Sequence, residues 1–184
     1  TEWVVLETDR EPFFALTKQL HNLIHGEGDL ELSSDARELY EAVNDAEAGW
    51  LRERLRPEDV LVVHDPQPMG LGARLAREVG CPTIWRCHIG LDEETRHTRT
   101  AWEFLRPYAA GYGSAVFSVP EYVPEYFADR ASIIAPALDP LSHKNRPLHP
   151  HKLVGILVNS GLMAPNESVL TPPFGASAQR LQPD

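Results

Sequence analysis

Val60-Leu61-Val62-Val63-His64-Asp65-Pro66-Gln67-Pro68 is an apolar, β-branched run that stops abruptly in a polar corner set with prolines. The run is short and is bounded by Pro57-Glu58-Asp59 on one side and Pro66 on the other, which favours a strand buried on both faces over a helix. Pro66 and Pro68 have fixed φ, lack a donor N–H and push the residue before each of them into extended backbone. His64, Asp65 and Gln67 are therefore expected on a stiff loop at the carboxyl end of a strand, the edge at which open parallel sheets hold their ligands.

Outward from this strand, the pattern alternates. Before it, Pro12 in a first turn, a possible capping Asp9 and the spacing of Phe13, Leu16, Leu20, Leu23 and Ile24 predict a helix stopped by Gly26. The other face of that helix carries Lys18, His21, Asn22 and His25. A second helix opens at Ser34-Asp35 and runs through Leu39, Tyr40, Val43, Ala46, Trp50, Leu51 and Leu55. After the central strand come a short helix over 70–79 closed by Gly80, a strand over 83–89 ending on His88, and a helix over 98–108. A strand over 115–119, a Pro-started helix over 120–127 and a strand over 132–135 follow. Residues 2–7 also have strand character, and the chain opens inside them as if cut. Strands alternating with helices imply right-handed crossovers, hence an α/β, Rossmann-like, doubly wound parallel sheet.

Beyond Pro136 the regularity fails. Residues 138–147 are turn chemistry, an amphipathic helix is predicted around 152–162, and the proline-rich stretch 163–184 reads as a linker.

Composition narrows the function. A chain of 184 residues has the size of one domain, and its formal charge of −10 argues against nucleic acid, which needs Lys/Arg clusters to neutralise phosphates. No apolar run is long enough to span a bilayer and the start lacks a signal-peptide layout, so no membrane partner and a cytoplasmic location are expected. Cys81 and Cys87 would stand roughly 20 Å apart along a strand, against the ~6 Å between Cα atoms that a disulfide needs. They read as small buried thiols.

Several polar positions fall at strand ends: His64-Asp65, Gln67, Arg86 with His88, and Pro120-Glu121-Tyr122. Any one of them has an ordinary reading as a loop-satisfying side chain. Their convergence on one edge of a parallel sheet is what points to a ligand. The competing motifs are weaker. Gly70-Leu71-Gly72 lacks a third glycine and does not directly follow the strand, no Gly-Lys-Ser/Thr phosphate loop or Gly-x-Ser-x-Gly elbow occurs, and His143, His149 and His151 lie in an irregular segment without ligand spacing, as solvated histidines would.

Long strings of the sequence carry a resemblance. Val62-Val63-His64-Asp65-Pro66-Gln67-Pro68, Ile84-Trp85-Arg86-Cys87-His88-Ile89, Phe117-Ser118-Val119-Pro120-Glu121-Tyr122-Val123 and Ala135-Pro136-Ala137-Leu138-Asp139-Pro140-Leu141-Ser142-His143-Lys144-Asn145 are similar to the amino-terminal domain of the trehalose synthase (glycosyltransferring) family. So is Phe13-Phe14-Ala15-Leu16-Thr17-Lys18-Gln19-Leu20-His21-Asn22. The resemblance runs over about residues 3–162 and extends to the related retaining trehalose phosphorylases.

The resemblance implies the amino-terminal half of a GT-B fold, in which two Rossmann-like domains face each other across a cleft. Residues 1–162 would be the acceptor-sugar domain, truncated at its start, and 163–184 the approach to a carboxyl-terminal donor domain of the same parent chain. A Gly-rich loop is expected before Thr1, and a basic pair with paired glutamates after Asp184. The implied reaction transfers glucose from a nucleoside diphosphate glucose to glucose, with retention, giving trehalose; no cofactor and no metal are implied, and a homodimer is possible. On that basis His88 is expected to act on the reacting sugar, and Asp65 and Gln67 to recognise the acceptor, since a carboxylate accepts paired hydroxyl hydrogen bonds. Arg86, Lys18 and Asn22 are expected to line the cleft. Trp85 and Trp102 could stack on a sugar but read better as core. The competing reading is a non-catalytic sugar- or partner-binding α/β module.

Overall fold

The apolar run 61–64 does form a strand, and it lies at one edge of a four-stranded parallel sheet of order β1-β2-β3-β4. The computed structural model describes residues 1–6, 8–137 and 147–164. Helices α1 (Glu11–Ile24) and α2 (Ala36–Arg52) precede β1 (Leu61–His64); α3 (Met69–Val79), β2 (Thr83–Arg86), α4 (Arg96–Ala109), β3 (Ser114–Phe117) and β4 (Ala131–Ile133) follow. These elements form one compact unit, residues 1–136, and a second unit, 137–184, contains α5 (Pro150–Ser160). The α/β class and the Rossmann-like parallel sheet are as the alternating pattern predicts.

Every strand lies beside its sequence predecessor. Right-handed crossovers stepping in a single direction deliver α3 and α4 to the same side of the sheet. That side is the core. Val63, Trp85, Ala115 and Phe117 alternate onto it and are buried with Leu20, Leu23 and Ile24 of α1, Tyr40 of α2 and Leu105 of α4. Each such large apolar side chain contributes about 1.5–3 kcal/mol. On the other face, Val62 is 47% exposed. The burial of β1 on both faces expected from its unbroken apolar run is therefore not found, because strand order, which a local pattern does not encode, decides which face is covered.

Three local expectations change for physical reasons. Residues 1–6 pack Val4 and Leu6 against the cluster of Ala48, Leu51, Leu71 and Leu75, but among the described residues they make no strand ladder. The amino end of α1 uses Arg10 as its cap without a side-chain bond; Thr8, not Asp9, contributes an acceptor there, taking the Arg10 N–H at 3.3 Å. The predicted helix over 120–127 is two 3₁₀ turns, Pro120–Tyr122 and Glu125–Phe127. Pro124 holds Val123 extended (φ −79°, ψ 112°) and splits the segment.

The glycines of Gly70-Leu71-Gly72 lie in α3, and a Cβ on Gly72 would come 2.2 Å from the Tyr112 hydroxyl and 2.7 Å from Cγ2 of Val63. Close packing accounts for this glycine. Trp85 is fully buried against Phe117 and Phe127, and Trp102 meets it edge-on at 6.3 Å, so both tryptophans belong to the core or its border. Cys81 and Cys87 are free and buried, and burial pushes the Cys87 thiol up to about 12.

In the second unit, α5 is capped by Nδ1 of His149, which accepts the His151 N–H at 3.4 Å, and closes on Gly161. His149 and His151 are exposed. His143, residues 138–146 of the turn expected over 138–147, and the tail from 165 onward lie outside the described residues.

Candidate functional site

The loop after β1 is fastened to its surroundings by bonds that a sequence cannot display. The Asp65 N–H donates to the Arg86 carbonyl at 2.8 Å, which continues the β1–β2 ladder by one residue. Asp65 then turns into the left-handed region with φ +63°, not the extended backbone expected before Pro66, and it is the sole non-glycine with positive φ among the described residues. Its carbonyl accepts the Trp85 indole N–H at 2.9 Å, and its carboxylate Oδ1 accepts the backbone N–H of His88 at 2.9 Å. Backbone strain of this kind costs about 1–3 kcal/mol and persists where surrounding bonds hold it.

The next residues are held from α2. Tyr40 donates its hydroxyl to the Pro66 carbonyl at 2.5 Å and accepts the Gly70 N–H at 3.2 Å. One turn on, Asn44 donates to the Gln67 carbonyl at 3.2 Å and accepts the Leu71 N–H at 2.8 Å. The two side chains thus satisfy N–H groups at the start of α3 that no helical carbonyl can reach, and they fix the backbone of the Pro66–Gln67 corner. Burial raises the Tyr40 phenol far above its ordinary value, so it remains a donor.

Around Asp65 the histidines gather. His64 and Arg86 are register partners on β1 and β2, so His88, two positions beyond Arg86, belongs on the same sheet face as His64. Their rings lie 12° from parallel with centroids 5.3 Å apart, and Nδ1 of His64 is 3.0 Å from Nε2 of His88. Burial lowers the His64 pKa, His88 and Arg86 lower it further, and Asp65 opposes them. The Trp3 ring lies 5.1 Å from that of His64. His21 on α1 is likewise lowered, by burial and then by His25, and is raised by the Asp65 charge. That face of α1 is therefore within electrostatic reach of the loop.

The residues expected from sequence divide into groups. Asp65 and His88 are bonded directly, with the His88 ring exposed and its only side-chain bond, among the described residues, the one to His64. The half-buried Gln67 has a fixed backbone and no side-chain partner among the described residues. Lys18 and Asn22 share a helix face with His21 and His25 by their spacing; Lys18 is exposed and Asn22 half-buried. Arg86 has a different setting. Its Nη2 donates to the Ile134 carbonyl at 3.0 Å and meets the Ser118 hydroxyl at 3.5 Å, so it clamps β2 to the chain leaving β4, while the buried Nη1 has no partner among the described residues. Tyr122 packs on Gly90, where a Cβ would stand 2.1 Å from its ring, which brings the loops after β2 and β3 together.

Sequence reasoning missed Tyr40 and Asn44 as supports of the site. A polar Asn44 one helical turn from Tyr40, inside an otherwise apolar stripe, was the available signal. It also gave His64 no role of its own, although alternation from Arg86 puts it beside His88.

Residues 1–124 match the family described as trehalose synthase, N-terminal domain. The trehalose synthase of Pyrococcus horikoshii is 38% identical over 156 residues, covering 84% of this chain and 36% of that protein. The trehalose synthase of Rubrobacter xylanophilus is 37% identical over 155 residues (80% and 35%), and that of Thermococcus litoralis 34% identical over 156 (84% and 36%). The chain spans about a third of the length of these curated relatives. The family match over most of the compact first unit, together with relatives 34–38% identical over 80–84% of the chain, establishes that this chain belongs to the trehalose synthase N-terminal domain family.

Proposed function

We propose that this chain is the acceptor-sugar portion of a retaining glycosyltransferase that forms trehalose from a nucleoside diphosphate glucose and glucose. The observation that carries the reading is the Asp65–His88 bond at the carboxyl edge of the sheet, in a chain whose relatives are trehalose synthases. Oδ1 of Asp65 is engaged by the His88 N–H, and Oδ2 has no partner among the described residues. Oδ2 is the oxygen that accepts an acceptor hydroxyl in this reading. The exposed His88 imidazole faces the same sugar and bonds a hydroxyl whose charge shifts as the glycosidic bond forms, an interaction that strengthens in the transition state. Gln67, Lys18 and Asn22 complete the acceptor side. The donor nucleotide is gripped by a second domain of the parent protein, and neither metal nor cofactor takes part.

The reading is tested by titrating the 184-residue chain with glucose and following its amide and imidazole resonances. Shifts concentrated at Asp65, Gln67 and His88, absent with a sugar alcohol of equal size, are expected. Incubation of this chain alone with glucose and a nucleoside diphosphate glucose is expected to give no trehalose, since transfer needs donor contacts that hold the reacting atoms in place. Glucose shifts scattered over the surface would overturn the acceptor assignment.

A further inference from the structure

The contact between His64 and His88 joins two ring nitrogens at 3.0 Å, and a hydrogen bond between them holds one proton, not none and not two. Proton counting then restricts the two outer nitrogens. A neutral pair of imidazoles carries one proton on each ring. With one proton in the contact, one remains for either Nε2 of His64 or Nδ1 of His88. When His64 donates across the contact, Nδ1 of His88 carries a proton and is a donor; when His88 donates, that nitrogen is bare and is an acceptor. A third proton gives a singly charged pair in which both outer nitrogens donate. His88 alone would choose its tautomer freely.

We propose that His64 is a positioning residue that, by sharing one proton with His88, sets whether the exposed Nδ1 of His88 donates to or accepts from the sugar. This inference rests on the acceptor-site reading above. The near-parallel ring stacking, the register that puts both residues on one sheet face, and the Asp65 bond that fixes the His88 backbone make the contact a built one. The groups facing the pair are Asp65 from the β1 loop, Arg86 from β2 and Trp3, while His21 and His25 of α1 lie toward Asp65. Arg86 and the limited solvent around His64 disfavour a charge on His64, so the partly buried member of the pair stays neutral and the exposed one meets the ligand.

The test uses the uniformly ¹⁵N-labelled 184-residue chain. A scalar coupling through the shared proton, between Nδ1 of His64 and Nε2 of His88, is expected at neutral pH. His64→Phe keeps a flat ring for stacking and removes the nitrogen, and should abolish the coupling, weaken glucose binding about tenfold, as loss of one hydrogen bond does, and change how that affinity varies between pH 5 and 8. His64→Asn, whose amide nitrogen stands near the place of Nδ1, should restore a large part of the affinity. A native amide spectrum without the coupling, or a His64→Phe chain that binds glucose with wild-type affinity and pH profile, overturns the proposal. If wild-type chain shows the coupling yet binds no glucose, the acceptor reading fails while the shared proton stands, so the two failures are separable.

Discussion

Oδ1 of Asp65 accepts the backbone N–H of His88 at 2.9 Å, so one carboxylate holds in place the loop that carries the neighbouring imidazole. Substitutions at Asp65 should therefore separate two losses. Asp65→Asn keeps an oxygen for the His88 N–H and tolerates the backbone conformation, so its melting temperature should stay close to wild type. Its glucose affinity should fall about ten- to a hundredfold, matching roughly 1.5–3 kcal/mol for a hydrogen bond to a charged group. Asp65→Ala should lose the same affinity and also about 0.5–1.5 kcal/mol of stability from the lost bond to the exposed His88 N–H. Thermal unfolding and glucose titration of both variants check this; equal affinity in Asp65→Asn and wild type would remove the carboxylate from acceptor recognition.

Tyr40→Phe deletes a donor to the Pro66 carbonyl and an acceptor for the Gly70 N–H, both buried, while leaving the ring in the core. A destabilisation of about 1–3 kcal/mol is expected. Hydrogen exchange should speed up at Gly70 and Leu71 more than in β2 or β3. A uniform acceleration would mean that Tyr40 supports the core as a whole and not the loop.

Gly72→Ala places a methyl group 2.2 Å from the Tyr112 hydroxyl, itself bonded to the Met69 carbonyl at 2.7 Å. Something must move, and overpacking of this kind costs about 1–3 kcal/mol. Gly49→Ala, where a Cβ meets nothing within 4 Å, is the internal control and should be neutral or slightly stabilising. Chemical denaturation of the two variants gives the comparison.

His21 and His64 both have folded-state pKa values below their ordinary 6.5. The unfolded chain then binds more protons than the folded one in the window below 6.5, so stability rises with pH there and levels off above it. Burial is the first cause for both, with His25 acting on His21, and His88 and Arg86 on His64, against the Asp65 charge. Melting temperatures measured from pH 5 to 7.5 should climb and then flatten, and His64→Phe should reduce the slope. An unchanged slope would assign the pH dependence elsewhere.

The strands were legible because each is a short β-branched or aromatic run ended by proline, glycine or a polar residue. Gly80 closed α3 as its position promised, with φ +78°. What could not be read was longer in range. Nothing local to 60–63 says that β1 has a neighbour on one side and an open face; that follows from the order in which strands assemble. The split of 120–127 into two 3₁₀ turns was available in Pro124, whose effect on Val123 outweighs the helical start that Pro120 suggests. At the site, Asp65 and His88 were readable as strand-end polar residues. The setting of Arg86 was not, because its bond to the Ile134 carbonyl crosses a strand and joins residues 48 positions apart.

The backbone of Asp65, at φ +63°, limits what heredity can place there. Glycine accepts that conformation at no steric cost but has no oxygen to offer the His88 N–H, whereas glutamate and serine offer an oxygen but meet the conformational penalty of ordinary L-residues. Aspartate and asparagine satisfy both demands. The codons for these two residues differ by one base, so a single transition suffices to remove the charge while the loop stays standing. In a deep mutational scan selected first for folding and then for sugar binding, position 65 should tolerate asparagine in the first selection and reject it in the second.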